Sequence, residues 1–288
     1  MRKIKKAGSC SCRAVPGFLY MGGARMKVWV LMENTSLSPD FCSEHGLSLW
    51  IESGNCRLLF DTGQSEKFAR NAGQLGVDLA EADLAVLSHG HYDHGGGLKK
   101  FLVENEKAPV YLSCHAFEKH FSGRERDIGL DPALQACGRL VYVREKKELG
   151  GGMVLYPSGG FRPVYPVDAS GLTTFRDGRW MKEDFRHELY LLIREGGRRI
   201  LFSGCSHAGI LNIMEWLRPD ILVGGFHLKH LDPDGAGKAV LEQMAEKLKT
   251  YDTVYYTCHC TGTAQYAYLK EKMGDRLHYL AAGEHLTL

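Results

Sequence analysis

The sequence predicts an α/β protein in which two mixed sheets pack face to face with helices outside them, a four-layer sandwich. Two observations carry this. Each half of the chain runs through the same order of hairpin, strand and helix. Several predicted strand ends also deliver a histidine: His89, His91, His94, His207, His227 and His259. Side chains arriving in that way converge on one edge of a sandwich. No linker separates the halves, so residues 26–288 read as a single domain. A chain of 288 residues has ample length for a core.

In chain order, residues 1–25 read as an extension. Met1 to Lys6 is basic, and no apolar stretch of signal-peptide type follows. Lys27 to Glu33 then reads as a strand. Gly46–Glu52 and Cys56–Phe60 flank Ser53-Gly54-Asn55, which is hairpin spacing. Ser65 is placed to N-cap a helix with Phe68, Ala72 and Leu75 on one face and Gly76 as its stop. Leu84-Ala85-Val86-Leu87 is a short buried strand. A helix from Leu98 to Val103 follows, then strands at Pro109–Ser113 and Leu140–Val143, with a short helix between them at His115–Phe121. Residues 145–185, rich in glycine and proline, read as a connection between the halves. Leu189–Arg194 and Arg199–Ser203 form the second hairpin. A helix at Ala208–Leu217, a strand at Asp220–Val223 and a helix at 237–250 come next. Thr253–Thr257 is another strand, Ala264–Met273 another helix, and His278–Ala281 the last strand.

Composition narrows the function. A formal net charge of +2 implies no general attraction to nucleic acid or membrane. No apolar run approaches the ~20 residues needed to span a bilayer. The nine cysteines are odd in number and scattered, which fits a reducing cytoplasm better than a disulfide framework.

The chemistry concentrates in Ser88-His89-Gly90-His91-Tyr92-Asp93-His94-Gly95-Gly96-Gly97. Three imidazoles and a carboxylate fall on a loop between a strand and a glycine turn. Neutral imidazole and carboxylate suit zinc, iron or manganese. Among the remaining polar residues, His115, His120, His230, His278 and His285 read as structural or exposed. Lys119, Arg124 and Arg126 form a basic cluster whose ordinary role is a solvated face, phosphate contact being the sharper alternative.

Asp61-Thr62-Gly63 followed by His89-x-His91-x-Asp93-His94 closely resembles the metallo-β-lactamase superfamily, and the resemblance runs from Met26 to the end. Glu33-Asn34, Glu44-His45-Gly46-Leu47-Ser48, Gly204-Cys205-Ser206-His207, Gly225-Phe226-His227-Leu228 and His259-Cys260-Thr261-Gly262 resemble one subfamily within it. That subfamily holds metal-dependent hydrolases. It also holds synthases that join a dihydropterin methyl diphosphate to a ribofuranosyl-aminobenzene phosphate.

The resemblance implies an αβ/βα sandwich with one or two divalent ions at the sheet edge. His89 and His91 would hold the first ion, and Asp93 and His94 the second. His207 and His259 would be later ligands. Asp61 would orient a ligand histidine or the backbone. Asp93 would also handle a proton in catalysis. Glu33, Asn34, Glu44, His45 and His227 are candidates for touching a small, phosphorylated substrate. The chain departs from the superfamily at Cys205, which stands where a bridging aspartate is usual. Cys205 and Glu188 are therefore alternative ligands, and the second ion is expected to be the weaker. Three functions follow from the resemblance: a hydrolase, a pterin-type transferase, and a metal-binding protein without catalysis on the same fold.

Overall fold

The computed structural model describes residues 25–288. Most of the expected extension, with Cys10 and Cys12, lies outside the described residues. The chain begins with β1 (Lys27–Met32) and the hairpin β2 (Ser48–Ser53) and β3 (Cys56–Phe60). Then come α1 (Lys67–Gln74), β4 (Leu84–Val86), the single turn α2 (Tyr92–Gly95), α3 (Leu98–Glu104) and β5 (Val110–Ser113). A run of short strands follows: β6 (His120–Ser122), β7 (Arg126–Asp127), β8 (Leu140–Val143), β9 (Lys147–Gly150), β10 (Met153–Pro157), β11 (Leu172–Arg176) and β12 (Arg179–Lys182). The second half holds β13 (Leu189–Glu195), β14 (Arg198–Phe202), α4 (Ile210–Leu217), β15 (Ile221–Val223), α5 (Lys238–Leu248) and β16 (Val254–Thr257). It closes with α6 (Thr263–Met273), β17 (Leu277–Tyr279) and β18 (His285–Thr287).

Two seven-stranded mixed sheets result, in the orders β18-β1-β2-β3-β4-β5-β8 and β17-β16-β15-β14-β13-β10-β9. In each, an antiparallel hairpin leads into parallel strands. The strands are apolar on successive residues because both of their faces are covered. In β13, Leu189, Leu191 and Ile193 face the other sheet, where they meet Val30, Ile51 and Phe60. Tyr190 and Leu192 face outward onto α4, α5 and α6 through Ile213, Leu241 and Leu269. In the first sheet, Leu59 and Trp50 take the outer face under Phe68 of α1 and Phe101 of α3. Full burial of one such side chain contributes about 1.5–3 kcal/mol. The four layers therefore follow from two-sided strands and one-sided helices.

Several expectations needed correction. Ser65 is not the N-cap of α1, which starts at Lys67 after Glu66. The Ser65 backbone N–H and hydroxyl instead donate to the Glu44 carboxylate, at 3.0 and 2.6 Å. His115–Phe121 is a turn leading into β6, not a helix. The glycine-rich stretch 145–185 carries four strands, β9 to β12. Two of these join β6 and β7 in a small third sheet, β12-β11-β6-β7. β18 is an additional strand beside β1. No helix among the described residues is long and apolar enough to cross a membrane.

Candidate metal centre

Parallel strands end together, so the loops after them share one edge. Asp61 follows β3, Ser88 and His89 follow β4, Cys205 and His207 follow β14, His227 follows β15, and His259 follows β16. Four residues there hold left-handed backbone without being glycine: Asp61 (φ +61°), Ser206 (+57°), His227 (+54°) and His259 (+51°). Such strain persists only where the surroundings impose it, and it gathers at functional sites.

The imidazoles form two cups. In the first, His89 Nε2 lies 3.3 Å from His207 Nε2. The His91 ring centroid is 4.6 Å from that of His89 and 4.9 Å from that of His207. In the second, His94 Nε2 lies 3.2 Å from His259 Nε2 and 3.2 Å from Cys205 Sγ. Asp93 Oδ2 stands 3.3 Å from His259 Nε2 and 3.9 Å from His94 Nε2.

Hydrogen bonds behind the rings decide which nitrogens face inward. Asp61 is fully buried, and its Oδ2 accepts from the Ser88 hydroxyl and from His94 Nδ1, each at 2.7 Å. Ser88, having given its proton to Asp61, accepts from His89 Nδ1 at 2.8 Å. Asn34 Oδ1 accepts from His259 Nδ1 at 2.8 Å. His89, His94 and His259 are thereby held with Nδ1 protonated and the Nε2 lone pair turned into the cups.

This geometry fits a metal. Two imidazole nitrogens face to face repel unless a proton or a metal ion lies between them. A tetrahedral ion with metal–nitrogen bonds near 2.0–2.1 Å sets its ligand nitrogens about 3.3 Å apart. Both nitrogen pairs have that separation. His91 Nε2, buried and without a hydrogen-bond partner, is a further nitrogen free to ligate.

The charge of the second cup also favours a cation. Burial pushes the Asp93 carboxyl up, but His94, His259 and His45 around it outweigh that and hold it well below the usual range. Burial pulls His94 down, yet Asp61 and Asp93 more than offset this and hold it up at about 9. The first cup behaves differently. Burial, followed by neighbouring imidazoles, keeps His89 and His91 well below the ordinary histidine value, and His207 is lowered in the same manner. The Cys205 thiol is raised by burial.

The other expected residues divide by position. Glu33 does not reach the cavity. Its carboxylate accepts from the His259 backbone N–H, the Tyr279 hydroxyl, and the N–H and hydroxyl of Thr35. Asn34 braces His259, and Glu44 braces Ser65. Glu188 is spent on the His207 loop, accepting from the backbone N–H of His207 and Ala208 at 2.7 and 2.9 Å. His45, 44% exposed, reaches Asp93 Oδ2 at 3.2 Å. His45 and His227 line a cavity of about 350 Å³ with His91, Asp93, His207 and His259.

His120, expected to be structural or exposed, lies in a buried cluster with His187 and Glu183, which were not among the candidates. His120 and His187 are fully buried and stacked at 3.9 Å between centroids, and the Glu183 carboxylate accepts from His120 Nδ1 at 2.7 Å. The nitrogens of His91, His120 and His187 lie within 4.8 Å of one another. His187 Nδ1 accepts the Gly90 backbone N–H at 2.9 Å, so its Nε2 carries the proton. No local signal reveals this cluster, because β6 is three residues long and its partner β11 is about fifty residues away.

The family model described as the metallo-beta-lactamase superfamily matches residues 44–256. The chain belongs to the metallo-beta-lactamase superfamily. An uncharacterized protein of Methanocaldococcus jannaschii is 30% identical over 243 residues, covering 81% of this chain and 90% of that one. The 7,8-dihydropterin-6-methyl-4-(beta-D-ribofuranosyl)-aminobenzene-5'-phosphate synthase of the same organism is 27% identical, covering 88% and 94%. A crystal structure described as a metal-dependent hydrolase of the beta-lactamase superfamily superposes with a TM-score of 0.75 at 30% identity, covering 91% of this chain and 99% of that one. The superfamily consists mostly of metal-dependent hydrolases, and its divalent ions suit the histidine, aspartate and cysteine clusters found in this chain.

Proposed function

We propose that the protein is a metal-dependent hydrolase of a small molecule bearing a phosphate or ester group. The observation that carries this is the pair of facing imidazole contacts at 3.2–3.3 Å beside an ionised Asp93 in one open cavity. His89, His91 and His207 hold one ion, and Asp93, His94, His259 and Cys205 hold the other. The nitrogen, oxygen and sulfur donors together favour zinc. When bound, a divalent ion supplies Lewis-acid polarisation and a water of lowered pKa.

The chain's own residues do the rest. Asp93 orients the attacking water and takes up its proton. Asp61 fixes the tautomers of His89 and His94. His227 Nε2, buried and without a protein partner, donates to a substrate oxygen. A reducing cytoplasm suits the free Cys205 and Cys260 thiols.

The test is elemental analysis together with hydrolysis of bis-p-nitrophenyl phosphate and of a lactone. Wild type is expected to carry metal and cleave at least one of them, and His91→Ala to lose both properties. Full activity in His91→Ala, or in chelated protein, would overturn the reading.

A second reading is favoured by the 27% identity to the pterin-related synthase. In that case the metal end of the cavity holds the diphosphate leaving group. Diphosphate release from a dihydropterin methyl diphosphate and a ribofuranosyl-aminobenzene phosphate, with no cleavage of the generic esters, would select it.

A further inference from the structure

The cavity has a second end that the chemistry above does not use. Beside the metal-centre residues, its lining includes Tyr92, Arg126, Lys229 and His230. Arg126 is delivered by β7 of the small third sheet, and Lys229 by the loop two residues beyond His227. The Arg126 guanidinium lies over the Tyr92 ring at 5.5 Å and donates to the Tyr92 hydroxyl at 2.7 Å. That contact holds the planar fork in place and occupies one of its five N–H donors. Among the described residues, neither Arg126 nor Lys229 forms an ion pair with a carboxylate. His230 is different, since Asp168 lies 3.3 Å from its Nε2. The cavity's one lining carboxylate is Asp93, which belongs to the metal end. His227 also lines the cavity, and its Nε2 is buried and unpartnered.

Exposed cations usually pair or point into water. Here two uncompensated cations from separate elements face the same small cavity, one of them stacked in place. We propose that Arg126 and Lys229 form an anion-binding subsite that takes a second anionic group of the substrate, a phosphomonoester, while the reacting group lies at the metal centre. The substrate class is then a small molecule with two anionic ends, one cleaved and one gripped. The inference rests on the hydrolase reading for the cleaved end, but the gripped end is measurable without turnover. A phosphate held by a guanidinium fork and an ammonium gains charge-assisted hydrogen bonds, which correspond to about a tenfold to hundredfold preference.

The experiment compares two ligands of the metal-loaded protein. One is thymidine 5'-(p-nitrophenyl phosphate), and the other is the same compound carrying a 3'-phosphate. Calorimetry gives the two dissociation constants, and nitrophenolate release gives the two kcat/KM values. Wild type is expected to bind the 3'-phosphorylated compound about tenfold or more tightly. Arg126→Ala and Lys229→Ala should each bring the ratio towards one, and Lys229→Glu should bring it lower still. Because each ratio is taken within one variant, an overall loss of stability or metal does not imitate the result. Equal dissociation constants in wild type would overturn the subsite. So would a preference that survives unchanged in all three variants, since the second phosphate would then sit on the metals. A preference that depends on both cations, with no nitrophenolate released from either compound and the lactone also left uncleaved, would uphold the subsite and defeat the hydrolase reading alone.

Discussion

The two cups differ in how they are supported. In the second, His94 and His259 are each tied at Nδ1 to a fixed acceptor, Asp61 or Asn34. Glu33 also holds the His259 backbone in its left-handed conformation. In the first, only the His89 ring is tied, through Ser88 to Asp61, while Glu188 holds the backbone of the His207 loop. His207 keeps its Nδ1 unpartnered. The histidine pair read most easily from sequence thus belongs to the less braced cup. Ligand identity is local in sequence, whereas bracing comes from residues up to 226 positions away. The second cup, with its charge imbalance and fixed rings, should be the tighter one, contrary to the expectation of a weaker second ion.

The largest effect should come from removing ligands. His259→Ala is expected to lower affinity at the second cup by more than about a hundredfold, because it removes a ligand rather than an outer partner. Elemental analysis with equilibrium dialysis should then show the first ion retained. His207→Ala should give the converse. If either variant empties both cups, they do not act independently and the comparison fails.

Asp61→Asn comes next, and it strikes both cups. The amide leaves one oxygen where the carboxylate used two to satisfy the Ser88 N–H, the Ser88 hydroxyl and His94. Affinity at both ions should fall about 10–100-fold. Each buried donor left unsatisfied should cost about 1–3 kcal/mol of stability. A loss confined to one ion would show that the Ser88 link to His89 carries nothing.

The sandwich was legible because strands buried on both faces leave unbroken apolar runs. Leu84–Leu87 and Leu189–Ile193 announce themselves in that way. The third sheet was not legible. β6 and β7 are three and two residues long, too short for any periodicity, and they exist through pairing with β11. The same holds within the site. His89, His91, Asp93 and His94 stand together in sequence, while His120, Glu183 and His187 come together only through that sheet. Glu33 and Glu44 read as candidates for touching substrate. Their bracing roles depend on partners 226 and 21 residues away.

The contrast in protonation acts on stability rather than on ion affinity, and is read in metal-free protein. His94 is raised to about 9, so its stabilising contribution is complete below the unfolded value near 6.5 and is lost as pH rises through about 9. That window is worth about 3 kcal/mol. His89, His91, His187 and His207 are lowered chiefly by burial, so they oppose folding once pH falls below about 6.5, where the unfolded chain takes up protons. Thermal melts of chelated protein should therefore peak near neutrality, with the steeper fall on the acid side where four imidazoles act. A melting temperature that rises steadily to pH 9 would contradict the assignment of His94.

The smallest effect should follow Ser88→Ala. This residue is a single relay atom, packed so closely that a Cβ on Gly204 would come within 2.1 Å of its hydroxyl. The variant removes the acceptor of His89 Nδ1 and leaves the direct 2.7 Å bond from His94 to Asp61 intact. Affinity at the first cup should fall about tenfold, and the second should hold its ion. Asn34→Ala makes the reciprocal cut, removing the acceptor behind His259 and sparing His89. The pair therefore separates bracing from shared charge. If each variant weakens only its own cup, ring orientation sets affinity. If Ser88→Ala weakens both equally, the hydroxyl acts by holding Asp61 rather than by orienting His89. Asp61 would then be the one residue on which the two cups are built.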